Sequence, residues 1–327
     1  MSETTRATFK TVFLDLDSTD HHDLDLHYLQ NSCQELRVWG QTRPEQRLAH
    51  IADAEIIISN KVVLDAPILH ALAGQTRLIC VAATGTNNID LAVAQQLGIP
   101  VTNVRNYASQ SVAEHVIALI FALRRQLPAY QQAIQRGDWQ RSPQFCLLDY
   151  PMSEVAGSTL AIIGHGVLGQ ATAQLAQAIG MKVIVAEHPH RIPRAGRVRF
   201  EDALALADVV SLHCPLTTET HDLLNAERLR LMKPSALLIN TARGGIVNEA
   251  DLLKALREGW IAGAGIDVLL KEPPTTDALL LQAPLPNLLI TPHIAWASRK
   301  ARQTLIDQLA DIITSWQQTG VVLNQVN

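Results

Sequence analysis

Short apolar runs alternate with segments of helical periodicity along nearly the whole of this 327-residue chain. This alternation is typical of parallel α/β domains, in which a helix crosses the sheet between two parallel strands. The runs fall into two groups, and at roughly 150 residues per domain the chain length also fits two domains. We therefore predict two doubly wound parallel sheets. The predicted strands are residues 11–17, 36–40, 54–60, 78–84 and 99–104 in the first half, and residues 160–164, 182–186, 209–213, 236–240, 264–268 and 288–291 in the second half.

A long apolar segment separates the two groups of predicted strands. The pattern predicts a helix over residues 111–127, and Ser111 with Glu114 fits a capping box at its start. Its run VIALIFAL is too apolar all round for a free surface, so we expect it between domains or at a subunit interface. Residues 128–157 carry proline and glycine, and we interpret them as a connector or an arm. A last amphipathic helix over residues 298–318 needs a surface to pack on, for which we favour the first domain.

Composition and charge argue against several classes of function. Hydrophobic residues make up 47% of the chain and charged residues 18%, which is typical of a globular protein. A formal net charge of −4 argues against a broad nucleic-acid or anionic-membrane surface. The four cysteines form no CxxC pair, which argues against a structural metal site or a disulfide framework. Because the N-terminus lacks the apolar core of a signal peptide and no apolar run is long enough to span a bilayer, we expect a soluble cytoplasmic protein without a metal, nucleic-acid or membrane partner.

A glycine-rich turn follows the first predicted strand of the second half. Gly164, Gly166 and Gly169 form the pattern G-x-G-x-x-G between a strand and a helix that begins near Val167. In a dinucleotide-binding sheet the first glycine permits the tight turn, the second lets the backbone approach a pyrophosphate, and the third lets helix and strand pack closely. The first N–H groups of the helix, at Val167 and Leu168, then point at the phosphates. The competing interpretation is a glycine-rich turn that binds no ligand.

The end of the next predicted strand bears on the choice between NAD and NADP. Glu187 ends that strand 18 residues after Gly169, close to the roughly 20 expected for the acid that binds the adenosine ribose. A carboxylate there favours NAD, because it repels a 2′-phosphate. The following loop leaves NADP open, because arginines can accommodate that phosphate. The arginines of this loop are Arg191, Arg194, Arg197 and Arg199.

Four charged or titratable side chains lie at the ends of late strands in the second half. Arg243 follows one strand, His293 follows the last, and Asp267 and Glu272 lie within and just beyond the strand between them. Because ligands of open α/β sheets bind beyond the carboxyl ends of the strands, we expect these groups at the edge that also carries the glycine turn. The set suits hydride addition to a carbonyl, which builds negative charge on oxygen that a proton and a positive field must meet.

Each of these side chains has a role in such a reaction. His293 can donate the proton, and a carboxylate beside it would favour its charged form and fix its tautomer. We prefer Glu272 to Asp267 for that carboxylate, because a residue just past the strand can reach back across the crevice. Arg243 would hold a substrate carboxylate through a bidentate fork and polarise the adjacent carbonyl. Taken singly, Arg243 fits a surface ion pair equally well, and His293 fits a helix-cap neighbour of Pro292.

Five segments of the chain resemble the signatures of a known enzyme family. GHGVLG, SLHCPLT, NTARGGIVNE, GIDVLLKEPP and TPHIAWAS are similar, in this order, to those of the D-isomer-specific 2-hydroxyacid dehydrogenases, and the likeness covers nearly the whole chain. The resemblance implies that Arg243 binds the substrate, that Glu272 partners His293, and that His293 is the acid/base. It also implies that Asp267 contacts the nicotinamide end of NAD. The further cofactor contacts that it implies are Cys214, Pro215, Thr241, Ala242 and Arg243.

The resemblance also implies a domain layout. A Rossmann cofactor domain, residues 106–297, would be inserted into a flavodoxin-like substrate domain made of residues 1–105 and 298–327. Members of the family are usually homodimers joined through the cofactor domain, so we expect a homodimer here. We expect no added regulatory domain after Asn327.

Two further features resemble the glycerate dehydrogenase and hydroxypyruvate reductase branch of that family, namely VAATGTNNID and Trp296. The backbone N–H groups of Ala83, Thr84 and Gly85 would face a substrate carboxylate across a cleft between the domains, although a simple strand-terminating turn is the alternative. Trp296 either packs in the core or shapes the substrate pocket. The expected function is NAD(H)-dependent reduction of hydroxypyruvate or glyoxylate to D-glycerate or glycolate. The alternatives are the same chemistry on another 2-oxoacid or on phosphite, or a dinucleotide-sensing binding protein.

Overall fold

The computed structural model describes residues 9–282 and 285–327, which form two compact units. Unit 1 comprises the chain up to Ala108 together with Ala297–Asn327, and unit 2 comprises Ser109–Trp296. Each unit is built on one parallel sheet.

Unit 1 contains a five-stranded parallel sheet with short helices between the strands. Its strands are β1 (Lys10–Phe13), β2 (Glu35–Val38), β3 (Ile56–Ser59), β4 (Leu78–Val81) and β5 (Val101–Asn103), and its first helices are α1 (His27–Asn31), α2 (Arg47–Ile51), α3 (Ala66–Ala71) and α4 (Leu91–Gln96). The strand order β2-β1-β3-β4-β5 is that of a flavodoxin-like doubly wound sheet. Strands β3 and β4 are buried along their whole length, as expected of parallel strands with both faces covered.

Unit 2 contains a six-stranded parallel sheet, with three helices before its first strand and further helices between the strands. The helices are α5 (Ser109–Arg124), α6 (Leu127–Gln135), α7 (Asp138–Arg141), α8 (Val167–Ala178), α9 (Phe200–Leu206), α10 (Ala226–Leu229) and α11 (Glu249–Arg257), and the strands are β6 (Thr159–Ile163), β7 (Lys182–Ala186), β8 (Val209–Leu212), β9 (Leu237–Asn240), β10 (Gly263–Ile266) and β11 (Leu288–Ile290). The strand order is β11-β10-β9-β8-β6-β7.

A single-residue bridge completes the topology of this second sheet. Val198 pairs in parallel with Ala186, the last residue of β7. With Val198 counted as a reduced third strand, the order is that of the dinucleotide-binding sheet, 3-2-1-4-5-6, extended by one strand at the far edge. The prediction of two doubly wound sheets, one flavodoxin-like and one Rossmann-like, is therefore confirmed.

The segment between the two sheets differs from its prediction. Helix α5 begins at Ser109, so Ser111 lies inside its first turn and the predicted capping box is wrong. Glu114 instead accepts a hydrogen bond from Gln110 Nε2 at 3.0 Å. The proposed irregular connector is also wrong in part, because it contains α6 and α7. Pro128 falls in the first turn of α6, where the missing N–H of a proline breaks no hydrogen bond.

The apolar run of α5 finds its partners within unit 2. The helix packs against α8 and against strands β9 and β10. Its buried side chains are Val112, Ala113, Val116, Ile117, Leu119, Ile120 and Leu123. Packing inside its own unit therefore accounts for much of the apolar surface of this helix.

The last helix, α12 (Arg299–Thr319), belongs to unit 1. Ser298 caps it by accepting a hydrogen bond from Ala301 N, and Gly320 ends it in the left-handed conformation with φ 72°. Arg302 forms a bidentate ion pair with Asp23, with both nitrogen–oxygen distances at 2.7 Å. This pair and the apolar face of α12 tie the helix to the first part of the chain.

Two negative findings apply to the described residues. None of their helices combines the length and the apolar character needed to cross a membrane. Their His, Cys, Asp and Glu side chains form no group of three or more that could hold a metal ion.

Candidate active site

The turn after β6 can be built only with glycine at two positions. Gly164 has a φ of +94°, and a Cβ on it would lie 2.6 Å from Cys214 N. A Cβ on Gly169 would lie 2.1 Å from Gly164 O. The turn therefore packs against the segment that follows β8. Because the strand order reverses between β6 and β8, this is the switch point where doubly wound sheets bind ligands.

The start of α8 fits a bound pyrophosphate. Gly166 is the N-cap residue, and no side chain caps the helix there. The first N–H groups of a helix have no partner within the helix and carry its positive dipole end, so an anion can satisfy them. Val167 is exposed in this first turn, and Leu168 follows it. The contact of this turn with a pyrophosphate stays a prediction.

His213 and Cys214 follow β8 beside the glycine turn. Burial raises the pKa of the Cys214 thiol to about 11, so the thiol is neutral at physiological pH. Burial lowers the pKa of the His213 imidazole to about 4, and its Nε2 lies 2.9 Å from Ser211 Oγ. Pro215 follows on the exposed side.

His213 should make the stability of the protein depend on pH. Because its pKa falls from 6.5 to about 4 on folding, the unfolded chain binds one more proton between these pH values, and stability falls as the pH falls through that window. At pH 5 the loss should be at most about 2 kcal/mol. We expect His213→Gln, which keeps a polar partner for Ser211 but does not titrate, to lose less stability than wild type. Thermal unfolding without cofactor at pH 7.5 and pH 5 measures this, with exposed His221→Gln as control, and equal losses in wild type and His213→Gln would contradict it.

Glu187, predicted to bind the adenosine ribose, is held by two arginines. Arg194 Nε lies 2.6 Å from Glu187 Oε2 and its Nη2 lies 2.9 Å from Oε1, while Arg197 Nη1 lies 3.5 Å from Oε1. Hydrogen bonding from Arg194 lowers the pKa of the Glu187 carboxyl to about 2. The acid that the sequence suggested for cofactor choice is thus joined to two of the four loop arginines in one ion-pair cluster.

This cluster borders a cavity at the switch point. The cavity lining includes Gly164, Glu187, Arg191, Arg194, Arg197 and Cys214. Arg199 pairs instead with Glu201 at 4.0 Å and with Asp202 at 3.9 Å. Three of the four arginines of the loop therefore border the cavity beside the glycine turn.

Asn240, at the end of β9, shapes the loop that carries Arg243. Its side chain accepts a hydrogen bond from Ala242 N and donates one to Arg243 O, both at 3.0 Å. The Arg243 side chain is exposed, and its Nη1 donates to Ala242 O at 2.7 Å. Thr241 Oγ1 is buried and has no hydrogen-bond partner among the described residues. This orphan hydroxyl fits the expectation that the loop contacts a bound cofactor.

The Arg243 loop packs against the loop that carries Glu272. A Cβ on Gly244 would lie 1.9 Å from Leu269 O, so only glycine allows this contact. Glu272 Oε1 accepts a hydrogen bond from Leu269 N at 2.8 Å. The end of β9 and the end of β10 are therefore joined at the edge where the sequence predicted the site.

Glu272 and His293 form the pair that the sequence predicted. His293 Nδ1 lies 2.5 Å from Glu272 Oε2, and about a third of each side chain is exposed. Because an ionised carboxylate only accepts hydrogen bonds, Nδ1 carries a proton and donates it to Glu272. The other ring nitrogen, Nε2, is then the one that can exchange a proton with a substrate.

Asp267 holds the turn on which His293 lies. Its carboxylate is fully buried. It accepts hydrogen bonds from Thr291 Oγ1 at 2.5 Å and from Ile294 N and Ala295 N at 2.9 Å. Its backbone carbonyl accepts one from His293 N at 2.8 Å. His293 has a φ of 55°, a left-handed conformation that costs a residue with a side chain about 1–2 kcal/mol, and these bonds offset that strain. A contact of Asp267 with nicotinamide stays a prediction.

Trp296 is tied to the same turn, because its indole Nε1 donates to His293 O at 2.9 Å.

In unit 1, Ala83, Thr84 and Gly85 form the turn after β4. The Thr84 hydroxyl donates to Val104 O at 3.0 Å. Thr84 O accepts a hydrogen bond from Asn103 Nδ2 at 2.7 Å, which fixes this turn against the end of β5.

Comparison with known proteins decides the family. Residues 117–295 match the family model described as D-isomer specific 2-hydroxyacid dehydrogenase, NAD binding domain. The chain belongs to this family. It is 47% identical over 309 residues to a glycerate dehydrogenase of Methylorubrum extorquens, covering 94% of this chain and 96% of that relative. It is 37% identical to a hydroxypyruvate reductase of Blautia hydrogenotrophica, over 81% of this chain and 83% of that relative.

A solved structure is similar over nearly the same extent. It is an NADPH-dependent glyoxylate/hydroxypyruvate reductase from Sinorhizobium meliloti, in complex with NADP and malonate. Its TM-score is 0.79 at 27% identity, covering 97% of this chain and 96% of that chain. In the present chain, the segment that matches the NAD-binding domain lies wholly in unit 2, which also carries the Glu272–His293 pair.

Proposed function

We propose that this dehydrogenase reduces small 2-oxoacids, with hydroxypyruvate and glyoxylate as substrates and D-glycerate and glycolate as products. The observation that carries the proposal is the 2.5 Å hydrogen bond between His293 and Glu272 in the unit that also contains the glycine turn. The relatives named glycerate dehydrogenase, hydroxypyruvate reductase and glyoxylate/hydroxypyruvate reductase support the choice of substrate.

The proposed reaction assigns one task to each catalytic side chain. Gly164, Gly166 and Gly169 would hold the pyrophosphate of the reduced cofactor, and the cofactor would supply the hydride for the carbonyl carbon of the substrate. His293 Nε2 gives a proton to the carbonyl oxygen, so that the C=O group becomes CH–OH. Glu272 orients the imidazole through the hydrogen bond at Nδ1, which leaves Nε2 facing the substrate. Arg243 pairs with the substrate carboxylate and stabilises the negative charge that develops on the oxygen.

The remaining site assignments are part of the same proposal. Gly164, Gly166, Val167, Leu168 and Gly169 hold the pyrophosphate. The other proposed cofactor contacts are Glu187, Cys214, Pro215, Thr241, Ala242, Arg243 and Asp267. The proposed substrate contacts are the backbone N–H groups of Ala83, Thr84 and Gly85, and the side chain of Trp296. The orphan Thr241 hydroxyl and the uncapped start of α8 support the cofactor contacts.

We assign residues 106–297 to the cofactor domain and residues 1–105 with 298–327 to the substrate domain. The division of the described chain into units 1 and 2 supports this assignment.

We further propose a homodimer formed through the cofactor domain. Sedimentation equilibrium can test this proposal. It is supported by large apolar side chains that are exposed on α5 to α7 and on the segment after them. They are Phe121, Leu127, Ile134, Trp139, Phe145 and Leu148. Four free cysteines support a reducing compartment, which we propose is the cytoplasm.

Steady-state kinetics tests the proposed function. The purified protein is given hydroxypyruvate, glyoxylate and pyruvate with NADH and with NADPH. The proposal expects the highest kcat/KM with hydroxypyruvate or glyoxylate. Tight NADH binding without turnover of any 2-oxoacid would contradict the proposal and favour a dinucleotide-sensing protein.

The arginines around Glu187 extend the proposal to NADPH. The charge of Glu187 is already met by Arg194 and Arg197, so a 2′-phosphate would not face an unpaired carboxylate. Arg191 borders the same cavity. We therefore propose that the enzyme accepts NADPH as well as NADH.

Arg194→Gln is expected to raise the ratio of the NADPH Kd to the NADH Kd about 10- to 100-fold. The loss of a hydrogen bond to a charged phosphate costs about 1.5–3 kcal/mol, and Glu187, released from Arg194, becomes free to accept from the ribose of NADH. Fluorescence titration of each cofactor without substrate measures both constants. Arg199→Gln is the matched control, because Arg199 pairs with Glu201 and Asp202. A ratio unchanged by Arg194→Gln would rule out this use of the arginine.

A further inference from the structure

One face of α5 is in register with β10. Leu123 and Leu119 lie one helical turn apart, and each occupies the space above a glycine of the strand. A Cβ on Gly263 would lie 3.4 Å from Leu123 Cδ2, and a Cβ on Gly265 would lie 3.1 Å from Leu119 Cβ. The two glycines let the helix approach the strand closely. Because Leu119 lies over the later of the two glycines, the N-terminal turns of α5 lie toward the carboxyl end of β10.

The next two turns of the same face carry polar residues. His115 precedes Leu119 by four residues, and its Nε2 lies 3.0 Å from Thr291 Oγ1 and 3.6 Å from Asp267 Oδ1. Ser111 precedes His115 by four residues and donates its hydroxyl proton to Ala295 O at 2.7 Å. The N-terminal part of α5 therefore contacts both ends of the turn that carries His293.

The direction of the hydrogen bonds follows from the chemistry of the groups. The buried Asp267 carboxylate only accepts, and Thr291 has a single hydroxyl proton, which it donates to Asp267 Oδ1. Thr291 Oγ1 must therefore accept from His115, whose proton is on Nε2. The three groups form one chain, in which His115 donates to Thr291 and Thr291 donates to Asp267.

We propose that His115 is a positioning residue for the reaction, acting through Thr291 and Asp267 on the turn that holds His293. Asp267 binds the N–H groups of Ile294 and Ala295, and His293 needs this support because it is left-handed without being glycine. Because Thr291 accepts a hydrogen bond from His115, its own hydrogen bond to Asp267 is strengthened, and α5 fixes the position of His115. The effect on turnover rests on the proposed function, whereas the effect on the turn itself does not.

His115→Leu removes the donor at nearly the same volume, and it is expected to lower kcat about 10- to 100-fold, since small displacements of a catalytic group have effects of this size. The Kd for NADH should change less than kcat, because the pyrophosphate site at the glycine turn is not touched. His115→Gln should restore most of kcat, since the amide nitrogen can replace Nε2 as donor. Gln110→Leu, on the exposed side of the same helix, is the matched control.

Amide hydrogen exchange gives a readout that is independent of activity. Exchange at Ile294 and Ala295 should be faster in His115→Leu than in wild type and should return toward wild type in His115→Gln. Thr291→Val breaks the chain at its middle, so it should give the same pattern, and adding His115→Leu to it should cause little further change. This second variant keeps the test open if His115→Leu fails to fold.

The outcomes separate the two proposals. Unchanged exchange and unchanged kcat in His115→Leu would overturn the positioning role, as would equal impairment of the Leu and Gln variants. If wild type reduces no 2-oxoacid, the proposed function fails, and exchange at Ile294 and Ala295 alone decides whether His115 holds the turn.

Discussion

His293→Gln is expected to lower kcat for hydroxypyruvate reduction about 10²- to 10⁴-fold, the usual contribution of a positioned general acid. Glutamine can still donate a hydrogen bond to Glu272, so the turn should keep its shape, but its amide cannot give up a proton to the carbonyl oxygen. KM for the substrate and Kd for NADH should change little, because neither the Arg243 loop nor the glycine turn is altered. Initial rates with saturating NADH, together with a fluorescence titration of NADH, measure these constants.

Two comparisons make this prediction specific. His221→Gln removes an exposed histidine that pairs with Asp222, and it should leave kcat unchanged. Glu272→Gln should lower kcat by itself, because the imidazolium loses its negative partner. The double variant should be no slower than His293→Gln alone, because the two side chains act as a unit. A His293→Gln enzyme with wild-type kcat would assign the proton transfer to another group, and additive losses would show that Glu272 acts independently of His293.

The architecture was predictable because a buried parallel strand leaves a plain signal. A continuous apolar run bounded by polar or glycine residues marks each strand, and residues after the runs collect at one edge of the sheet. Arg243, Glu272 and His293 were placed at that edge by this rule, and Glu272 and His293 do form a hydrogen bond there. Their roles in the reaction stay predictions.

The sequence did not reveal several other contacts that polar side chains make after folding. Asn240 shapes the Arg243 loop, and the signal available for it was a polar residue at the end of a fully apolar run. His115 was missed because it lies in a helix that the sequence marks as apolar all round, although a histidine four residues before buried Leu119 is a polar residue on a buried face. Periodicity identifies the face of a helix, but it does not identify the hydroxyl or carboxylate that the face will contact.

The predicted start of helix α5 was wrong for a related reason. Ser111 and Glu114 fit a capping box by spacing alone, but in the folded chain the Ser111 hydroxyl donates to Ala295 O, far away in sequence. A serine can cap its own helix or bind a distant carbonyl, and only tertiary packing decides between them. The same contact links the start of α5 to the turn of His293, so this wrong prediction concerns a residue that touches the candidate site.

Arg243→Gln is expected to lower kcat/KM for hydroxypyruvate about 10²- to 10³-fold, because the site loses the charge that binds the substrate carboxylate and stabilises the developing oxyanion. Within the described part of the chain, the exposed guanidinium donates only to the carbonyl of Ala242, so it is available to an anionic substrate. Arg243→Lys should restore little, because an ammonium cannot form the planar bidentate fork. Arg257→Gln, at the exposed end of α11, is the charge-matched control.

The substrate itself offers a sharper test of Arg243. Glycolaldehyde is hydroxypyruvate without the carboxylate, so wild type should strongly prefer hydroxypyruvate, and Arg243→Gln should lose most of that preference while keeping its low rate with glycolaldehyde. The ratio of kcat/KM values for the two substrates isolates the carboxylate contact from general damage, since a misfolded site would lower both values together. A preserved preference would mean that another group binds the carboxylate, and the backbone N–H groups of Ala83, Thr84 and Gly85 would be the next candidates. Because the chain carries a formal net charge of −4, a local positive group such as Arg243 favours the approach of a small anion to the site.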